Sequence, residues 1–366
     1  MSTTSSTRSR HALYPLRVAE VEKLTGDALA ITFDVPDELR DLFAFVPGQH
    51  VALVREQDGE EVRRSYSICS PIDGPLRVAV KLLPDGVFST WAHQMLKSGD
   101  ELRVLPPSGR FTLNPDPSRS RHYAAIAAGS GITPVLSILA SVLATEPGSA
   151  CTLVYGNRST SSIMFLEELE DLKNRYRERL QLIHILSREP QEVELAEGRI
   201  DGPKLERLLD MLLPPETVDE WFLCGPFGMV ESARSVLRAR GVPASSLHRE
   251  LFHGDEASPP PPTKARHLAG EPDVGAAVTL ILDGRHSVVR VAEGVAILDA
   301  ALSVRPDAPY ACKGGVCGTC RCRVTEGEVR MDHSYALEAD EIDAGVVLAC
   351  QSHPLTDTVV LNFDAA

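Results

Sequence analysis

No stretch of the chain approaches eighteen uncharged apolar residues, so no transmembrane helix is expected. The first ten residues are rich in Ser and Thr and lack an apolar core, which argues against a secretory signal. They predict a disordered tail over residues 1–11. Basic charge is in short supply: 37 Lys and Arg stand against 51 Asp and Glu, and the formal charge is −14. Nucleic acid and anionic membrane are therefore not expected as partners. No internal repeat is present. A second C-x2-C knuckle, which most zinc sites of this kind need, is also missing among the eight cysteines. A disulfide-stapled secreted scaffold does not fit a chain of this length and cysteine usage, and a reducing cytoplasm is expected.

What the chain does have is Cys312-Lys313-Gly314-Gly315-Val316-Cys317-Gly318-Thr319-Cys320, with twenty-nine residues between it and Cys350. This C-x4-C-x2-C…C spacing is that of a plant-type [2Fe–2S] cluster. Three thiolates from one short loop reach two irons only if the backbone curls tightly, and Gly314, Gly315 and Gly318 are expected to permit the curl. Cys322 would be a fifth thiol and is read as a packed strand residue, as are Cys69 and Cys151.

With 366 residues, two or three domains are expected. Residues 12–116 read as short strands (Leu16–Leu24, Ala28–Val35, Gln49–Arg55, Val62–Ile68, Leu76–Leu83) with one helix over Phe88–Lys97. Trp91 and Met95 would share a face of that helix. This is the pattern of an antiparallel β-barrel. Residues 117–254 alternate strands (His122–Ala128, Cys151–Tyr155, Leu180–Leu186, Trp221–Cys224) with helices, which predicts a doubly wound parallel α/β sheet. Residues 255–273, with Pro259–Pro262 in a row, read as a semi-rigid linker. Residues 274–366 form a last module, with a hairpin around Asp283-Gly284 and a short helix over Ile297–Ser303 ahead of the cysteine loop.

Two motifs in the barrel suit a flavin. Arg64-Ser65-Tyr66-Ser67 offers a cation, hydroxyls and an aromatic face, though an exposed surface strand would read the same way. Gly86-Val87-Phe88-Ser89 opens the helix, where free N–H groups make a phosphate site; an ordinary N-cap is the alternative. Two further motifs lie at strand ends of the α/β sheet, where such folds bind dinucleotides. They are Gly129-Ser130-Gly131-Ile132-Thr133-Pro134 and Cys224-Gly225-Pro226-Phe227-Gly228-Met229. Arg158 follows the second strand, where a cation can accept an adenosine 2′-phosphate, so NADPH is expected, with NADH the alternative.

In this order the motifs resemble the ferredoxin–NADP reductase superfamily, in the form carrying a C-terminal plant-type ferredoxin domain. Tyr155-Gly156-Asn157-Arg158, His248-Arg249-Glu250-Leu251-Phe252 and the run from Leu298 to Cys312 are similar to oxygenase reductases, among them those that serve phenylacetyl-CoA epoxidation. The resemblance implies a β-grasp α+β fold for the last module and FAD in the barrel. Arg64 and Ser65 would hold the FAD phosphates and ribityl chain, Tyr66 would stack on the flavin, and Ser67 would approach its N5. Val80 and Lys81 would lie along the FAD, and Gly86, Val87, Phe88 and Ser89 would bind its pyrophosphate. Thr133 and Cys224 would border the nicotinamide, with Gly129, Ser130, Gly131, Pro134, Gly225, Pro226 and Met229 around the dinucleotide. Glu250 and Phe252 would close the flavin's far side, and Ser67, Cys224 and Glu250 would carry the chemistry. Cys312, Cys317, Cys320 and Cys350 would ligate the cluster. The implied partner is a diiron oxygenase that accepts the electrons. The reductase of a ring-hydroxylating or steroid-hydroxylating oxygenase, or a redox-sensing flavo-iron–sulfur protein, are the alternatives. Lys313, Arg321 and Arg323 are expected on the face that an oxygenase reads.

Overall fold

The computed structural model describes residues 9–57, 59–252 and 275–365. The linker expected over 255–273 lies outside these residues, as does most of the expected N-terminal tail. The described residues fall into two compact units: 15–62 with 66–252, and 9–14 and 63–65 with 275–365.

Apart from Tyr14 of β1 and residues 63–65 of β4, the first unit carries two sheets. Strands β1 (Tyr14–Thr25), β2 (Ala28–Asp34), β3 (His50–Gln57), β4 (Glu60–Ser67), β5 (Arg77–Lys81) and β6 (Glu101–Val104) line up in the order β4-β3-β6-β1-β2-β5. The two edges meet where Ile68 bridges Val78 in antiparallel register, which closes the sheet towards a barrel. Leu16, Val18, Ile31, Leu53 and Val78 fill the interior and are fully buried, the inward half of the period-two alternation. Two helices accompany the barrel: a single turn, α1 (Arg40–Phe43), and α2 (Val87–Met95).

Helix α2 stops two residues before the expected Lys97, because Leu96 turns extended at φ −71°, ψ 134°. Its buried stripe also differs from the expected one. Phe88 and Ala92, four apart, face the core, whereas Met95 is 65% exposed. Trp91 packs edge-on against Phe88 at 5.6 Å and lies under the Arg55 guanidinium, 4.2 Å from its ring centroid.

The second sheet alternates β7 (His122–Ala128), α3 (Ile132–Thr145), β8 (Ala150–Asn157), α4 (Leu166–Arg175), β9 (Leu180–Leu186), α5 (Gly202–Met211), β10 (Glu220–Pro226), α6 (Phe227–Ala239) and β11 (Leu247–Phe252). All its pairings are parallel, in the order β11-β10-β7-β8-β9. The chain winds outward from β7 to β9 and then returns to the other side of β7. The switch point therefore falls between β7 and β10, where this architecture leaves a crevice at the strands' C-terminal ends.

The second unit holds β12 (Ala276–Leu282), β13 (Arg285–Val291), α7 (Ile297–Val304), β14 (Arg321–Glu326), β15 (Val329–Met331), α8 (Ala339–Asp343), β16 (Val346–Leu348), β17 (Ser352–Pro354) and β18 (Thr358–Asn362). Its main sheet runs β13-β12-β18-β14-β16. The β12–β18 pair is parallel and the remaining pairs are antiparallel, the mixed order of a β-grasp sheet. The β12–β13 hairpin turns at Asp283 (φ 52°) and Gly284 (φ 67°), the doubly left-handed turn whose twist suits a two-residue hairpin. No helix among the described residues is long and apolar enough to cross a membrane.

Candidate functional site

Three motifs distant in sequence meet at one end of the barrel. Ser67, the last residue of β4, is buried, and its Oγ donates to Glu250 Oε2 at 2.9 Å. Glu250 lies on β11 opposite Cys224 of β10. The other carboxylate oxygen of Glu250 is 3.8 Å from Nδ1 of His50, a buried imidazole that opens β3. His50 Nε2 is in turn 3.5 Å from Ser108 Oγ. Burial first, and the Glu250 charge second, hold the Cys224 thiol well above its ordinary range, so it stays neutral. The fold thus places Ser67 and Glu250 in contact, with Cys224 across from Glu250 on the neighbouring strand. His50 escaped the sequence reading, and its only signal was a titratable residue placed inside an otherwise apolar strand.

The remaining flavin candidates lie along β4, β5 and α2. The Tyr66 ring rests on Phe88 at a centroid distance of 5.4 Å, so the helix backs the aromatic face. Ser65 Oγ is buried and has no hydrogen-bond partner among the described residues, a polar atom that a bound group would satisfy. Arg64 is exposed, and its Nη1 donates to the Arg63 carbonyl at 2.7 Å. Val80 is buried, and Lys81 Nζ pairs with Asp27 at 3.6 Å. Ser89 behaves differently from the expected phosphate ligand. Its Oγ donates to the Gly86 carbonyl at 3.1 Å and accepts from Leu83 N at 3.2 Å, which spends the hydroxyl on closing the turn. A Cβ on Gly86 would meet that oxygen at 2.4 Å, so the turn requires glycine.

At the switch point two backbones approach closer than side chains allow. A Cβ on Gly131 would lie 2.3 Å from the Cys224 carbonyl oxygen, and Gly129 is left-handed at φ 53°. Tyr155 donates its hydroxyl to the Gly129 carbonyl at 2.9 Å, and Thr133 Oγ1 donates to the Ser130 carbonyl at 3.0 Å. Pro134 is buried in the first turn of α3. Gly225 takes φ 154°, with Met229 Cε 2.8 Å from where its Cβ would stand. Pro226 pairs with Phe252 at the end of β11. This glycine-lined floor is a cradle for a dinucleotide. Arg158 is exposed just beyond β8. Two residues on, Thr160 donates its N–H (2.8 Å) and hydroxyl (2.7 Å) to Glu189, which holds that carboxyl below its usual range.

In the second unit, Cys312, Cys317 and Cys320 lie on the loop between α7 and β14, and Cys350 follows β16. The left-handed residues of this loop are Lys313 (φ 53°), Gly315 (φ 75°) and Gly318 (φ 69°). Gly314 is not among them, so the curl falls partly on a lysine instead of on three glycines. The Gly314 N–H points at Cys312 Sγ (3.3 Å) and the Thr319 N–H at Cys317 Sγ (3.5 Å). The thiols fall in two pairs, Cys312 with Cys317 and Cys320 with Cys350. Neighbouring thiols and burial push Cys312 and Cys320 well above their ordinary range. Four cysteines brought together in this way suit a cationic centre such as a [2Fe–2S] cluster, with one sulfur pair per iron. Cys322 faces the core and is fully buried, as its strand position predicted.

Arg321 does not take the expected surface role. Its guanidinium is largely buried and donates to the Ala336 carbonyl and to Glu341, both at 3.0 Å. It braces the segment after the cysteine loop. Arg323 is exposed, and Lys313 pairs with Asp299 at 2.8 Å.

Comparison with known proteins matches the architecture. Residues 15–113 fit the oxidoreductase FAD-binding domain, 125–235 the oxidoreductase NAD-binding domain, and 280–355 the 2Fe-2S iron-sulfur cluster binding domain. The chain is 47% identical to one of the subunits of the 1,2-phenylacetyl-CoA epoxidase of Escherichia coli K12, over 96% of this chain and 98% of that one. It is 36% identical to the ferredoxin reductase component of a Rhodococcus rhodochrous 3-ketosteroid-9-alpha-monooxygenase, over 95% and 96%. Phthalate dioxygenase reductase has the same fold, with a TM-score of 0.59 over 96% of this chain and 98% of that one, at 22% identity. The chain therefore belongs to the ferredoxin–NADP reductase superfamily, among the oxygenase reductases that join FAD-binding, NAD-binding and C-terminal [2Fe–2S] domains in one polypeptide.

Proposed function

We propose that this protein is the cytoplasmic, NADPH-dependent reductase of a diiron oxygenase that epoxidises phenylacetyl-CoA. The observation that carries the choice of oxygenase is the end-to-end likeness to the Escherichia coli epoxidase protein across all three modules. FAD, when bound, takes the electron pair of the nicotinamide and releases it singly to the cluster, which a one-electron acceptor chain requires. The task of the protein is orientation more than proton transfer.

Arg64 faces the FAD phosphates, and the unpartnered Ser65 hydroxyl faces the ribityl chain. Tyr66, backed by Phe88, offers the stacking surface. Ser67 presents its hydroxyl near the flavin N5, with its proton directed by Glu250. Val80 and Lys81 border the cofactor, and the free N–H groups of Val87 and Phe88 at the start of α2 receive the pyrophosphate. Thr133 and the neutral Cys224 thiol border the nicotinamide, while Gly129, Ser130, Gly131, Gly225, Pro226 and Met229 leave room for the dinucleotide. Phe252 covers the far side of the flavin. Arg158 takes the 2′-phosphate. Cys312 and Cys317 would hold one iron, and Cys320 and Cys350 the other.

A steroid-oxygenase reductase is the second reading, favoured by the full-length likeness to the Rhodococcus component. Electron delivery to the purified epoxidase oxygenase, compared with a steroid oxygenase, separates the two.

A further inference from the structure

Gln351 directly follows the fourth cluster cysteine and is only 8% exposed. Its Nε2 donates to the Lys313 carbonyl at 2.9 Å and to the Cys350 carbonyl at 3.1 Å, and it lies 3.7 Å from Cys350 Sγ. One amide therefore touches both segments that supply cysteines: the loop carrying the first three and the turn carrying the last. Lys313 is left-handed without being glycine, a conformation that persists only where its surroundings hold it. The contacts that hold it include the Gln351 amide on its carbonyl and, on its ammonium, Asp299 at 2.8 Å and the Tyr310 ring at 5.0 Å. Next to it, a Cβ on Gly315 would stand 3.0 Å from Gln351 Cγ, so the stem of the glutamine packs against the bend it fixes.

We propose that Gln351 is a positioning residue for the [2Fe–2S] cluster: it locks the Lys313–Gly315 bend and raises the cluster's reduction potential through its N–H directed at Cys350 Sγ. Reduction adds one electron and no proton to a centre whose negative charge spreads onto its sulfurs. An N–H dipole aimed at sulfur stabilises that extra charge more than it stabilises the oxidised form, so reduction becomes easier. The backbone N–H groups of Gly314 and Thr319 act in the same sense on Cys312 and Cys317 but can be removed only by proline, which would also restrain the loop backbone, whereas the Gln351 side chain can be changed alone. The inference rests on the cluster assignment alone and is independent of which oxygenase receives the electrons.

The test uses the full-length protein with FAD and cluster in place. Gln351→Met keeps the length of the side chain and its stem against Gly315 and removes both N–H groups; Gln351→Leu removes them with a different shape. The cluster potential is read by redox titration followed by electron paramagnetic resonance, and cluster retention by the rate of bleaching with a chelator. Both variants are expected to show at least a threefold fall in the one-electron reduction equilibrium constant and faster bleaching. A wild-type potential in both variants, or a raised one, overturns the proposal whatever the bleaching rate. Should Gln351→Leu fail to hold a cluster, Gln351→Met decides. Absence of a reduced-cluster signal in the wild-type protein would instead strike the cluster assignment.

Discussion

Ser67 and Glu250 are 183 residues apart in sequence and share a hydrogen bond of 2.9 Å, with the serine as donor. One ends a barrel strand, and the other lies on the edge strand of the nucleotide sheet. Their meeting joins the end of the barrel strand to the edge of the parallel sheet, where the proposed flavin and nicotinamide sites would adjoin. Replacing Glu250 by alanine removes an ionised acceptor and lets the Ser67 hydroxyl rotate. Flavin reduction by NADPH, followed by stopped-flow absorbance, is expected to slow roughly tenfold to a hundredfold, the worth of a hydrogen bond to a charged group. Glu250→Gln, which keeps an acceptor, should lose less, and the affinity for NADPH should change little in either.

The proposed NADPH preference rests on Arg158. Arg158→Ala should reduce kcat/KM for NADPH roughly tenfold or more while leaving NADH use within about twofold, because only the 2′-phosphate loses a charge-assisted partner. Equal effects on both dinucleotides would remove Arg158 from that role.

At Gly131 the constraint is steric. A methyl group there would meet the Cys224 carbonyl oxygen at 2.3 Å, and neither partner is a side chain that can swing away. Gly131→Ala is expected to lower stability by about 1–3 kcal/mol, the usual range for overpacking, and to weaken NADPH binding. Thermal unfolding and dinucleotide titration read the two effects separately.

The buried thiols predict an alkaline limit. Burial pushes the Cys69 thiol up to about 12 and holds Cys224 well above its ordinary range. The unfolded chain ionises these thiols near their ordinary value of 9.0 and the folded chain does not. A raised folded pKa contributes stability that is fully present below the unfolded value and is lost as pH rises from there toward the folded one. Melting temperature should therefore fall between pH 9 and the upper end of the accessible range. The fall should be shallower in a Cys69→Ala variant, when each protein is compared with its own value at pH 7.

Arg321 and Arg323, neighbours in β14, are expected to behave oppositely. Arg321→Ala leaves the largely buried Glu341 carboxylate without its cation, with the Glu338 N–H still donating to it, and should destabilise the iron–sulfur unit. That loss is visible as a lower melting temperature and poorer cluster retention. Arg323→Glu changes an exposed charge and should slow transfer to the oxygenase while leaving ferricyanide reduction by NADPH intact.

Much of this is legible in the sequence because the periodicities and turn residues are local. The alternation of Val278, Leu280 and Leu282, the Asp283-Gly284 turn and the cysteine spacing each announce themselves within a few residues. The misses have a common cause. His50, Gln351 and the inward placement of Arg321 matter through partners far along the chain, namely Glu250, Lys313 and Glu341. No local pattern marks a histidine in a strand or a glutamine after a cysteine as a partner for a group elsewhere. The edge strand β11 is legible only through its functional residues, because its half-buried, charge-interrupted sequence lacks the apolar run of the inner strands. Ser89 shows the converse: a hydroxyl at a helix start reads as a ligand until the turn it closes is visible.

The most direct test mixes the purified reductase with the purified phenylacetyl-CoA epoxidase oxygenase, NADPH and phenylacetyl-CoA, and follows NADPH oxidation and ring-epoxide formation together. The two are expected to proceed in step and both to stop when Cys350→Ser removes a cluster ligand, while NADPH still reduces the flavin. NADPH oxidation without epoxide, alongside efficient coupling to a steroid or ring-hydroxylating oxygenase, would contradict it.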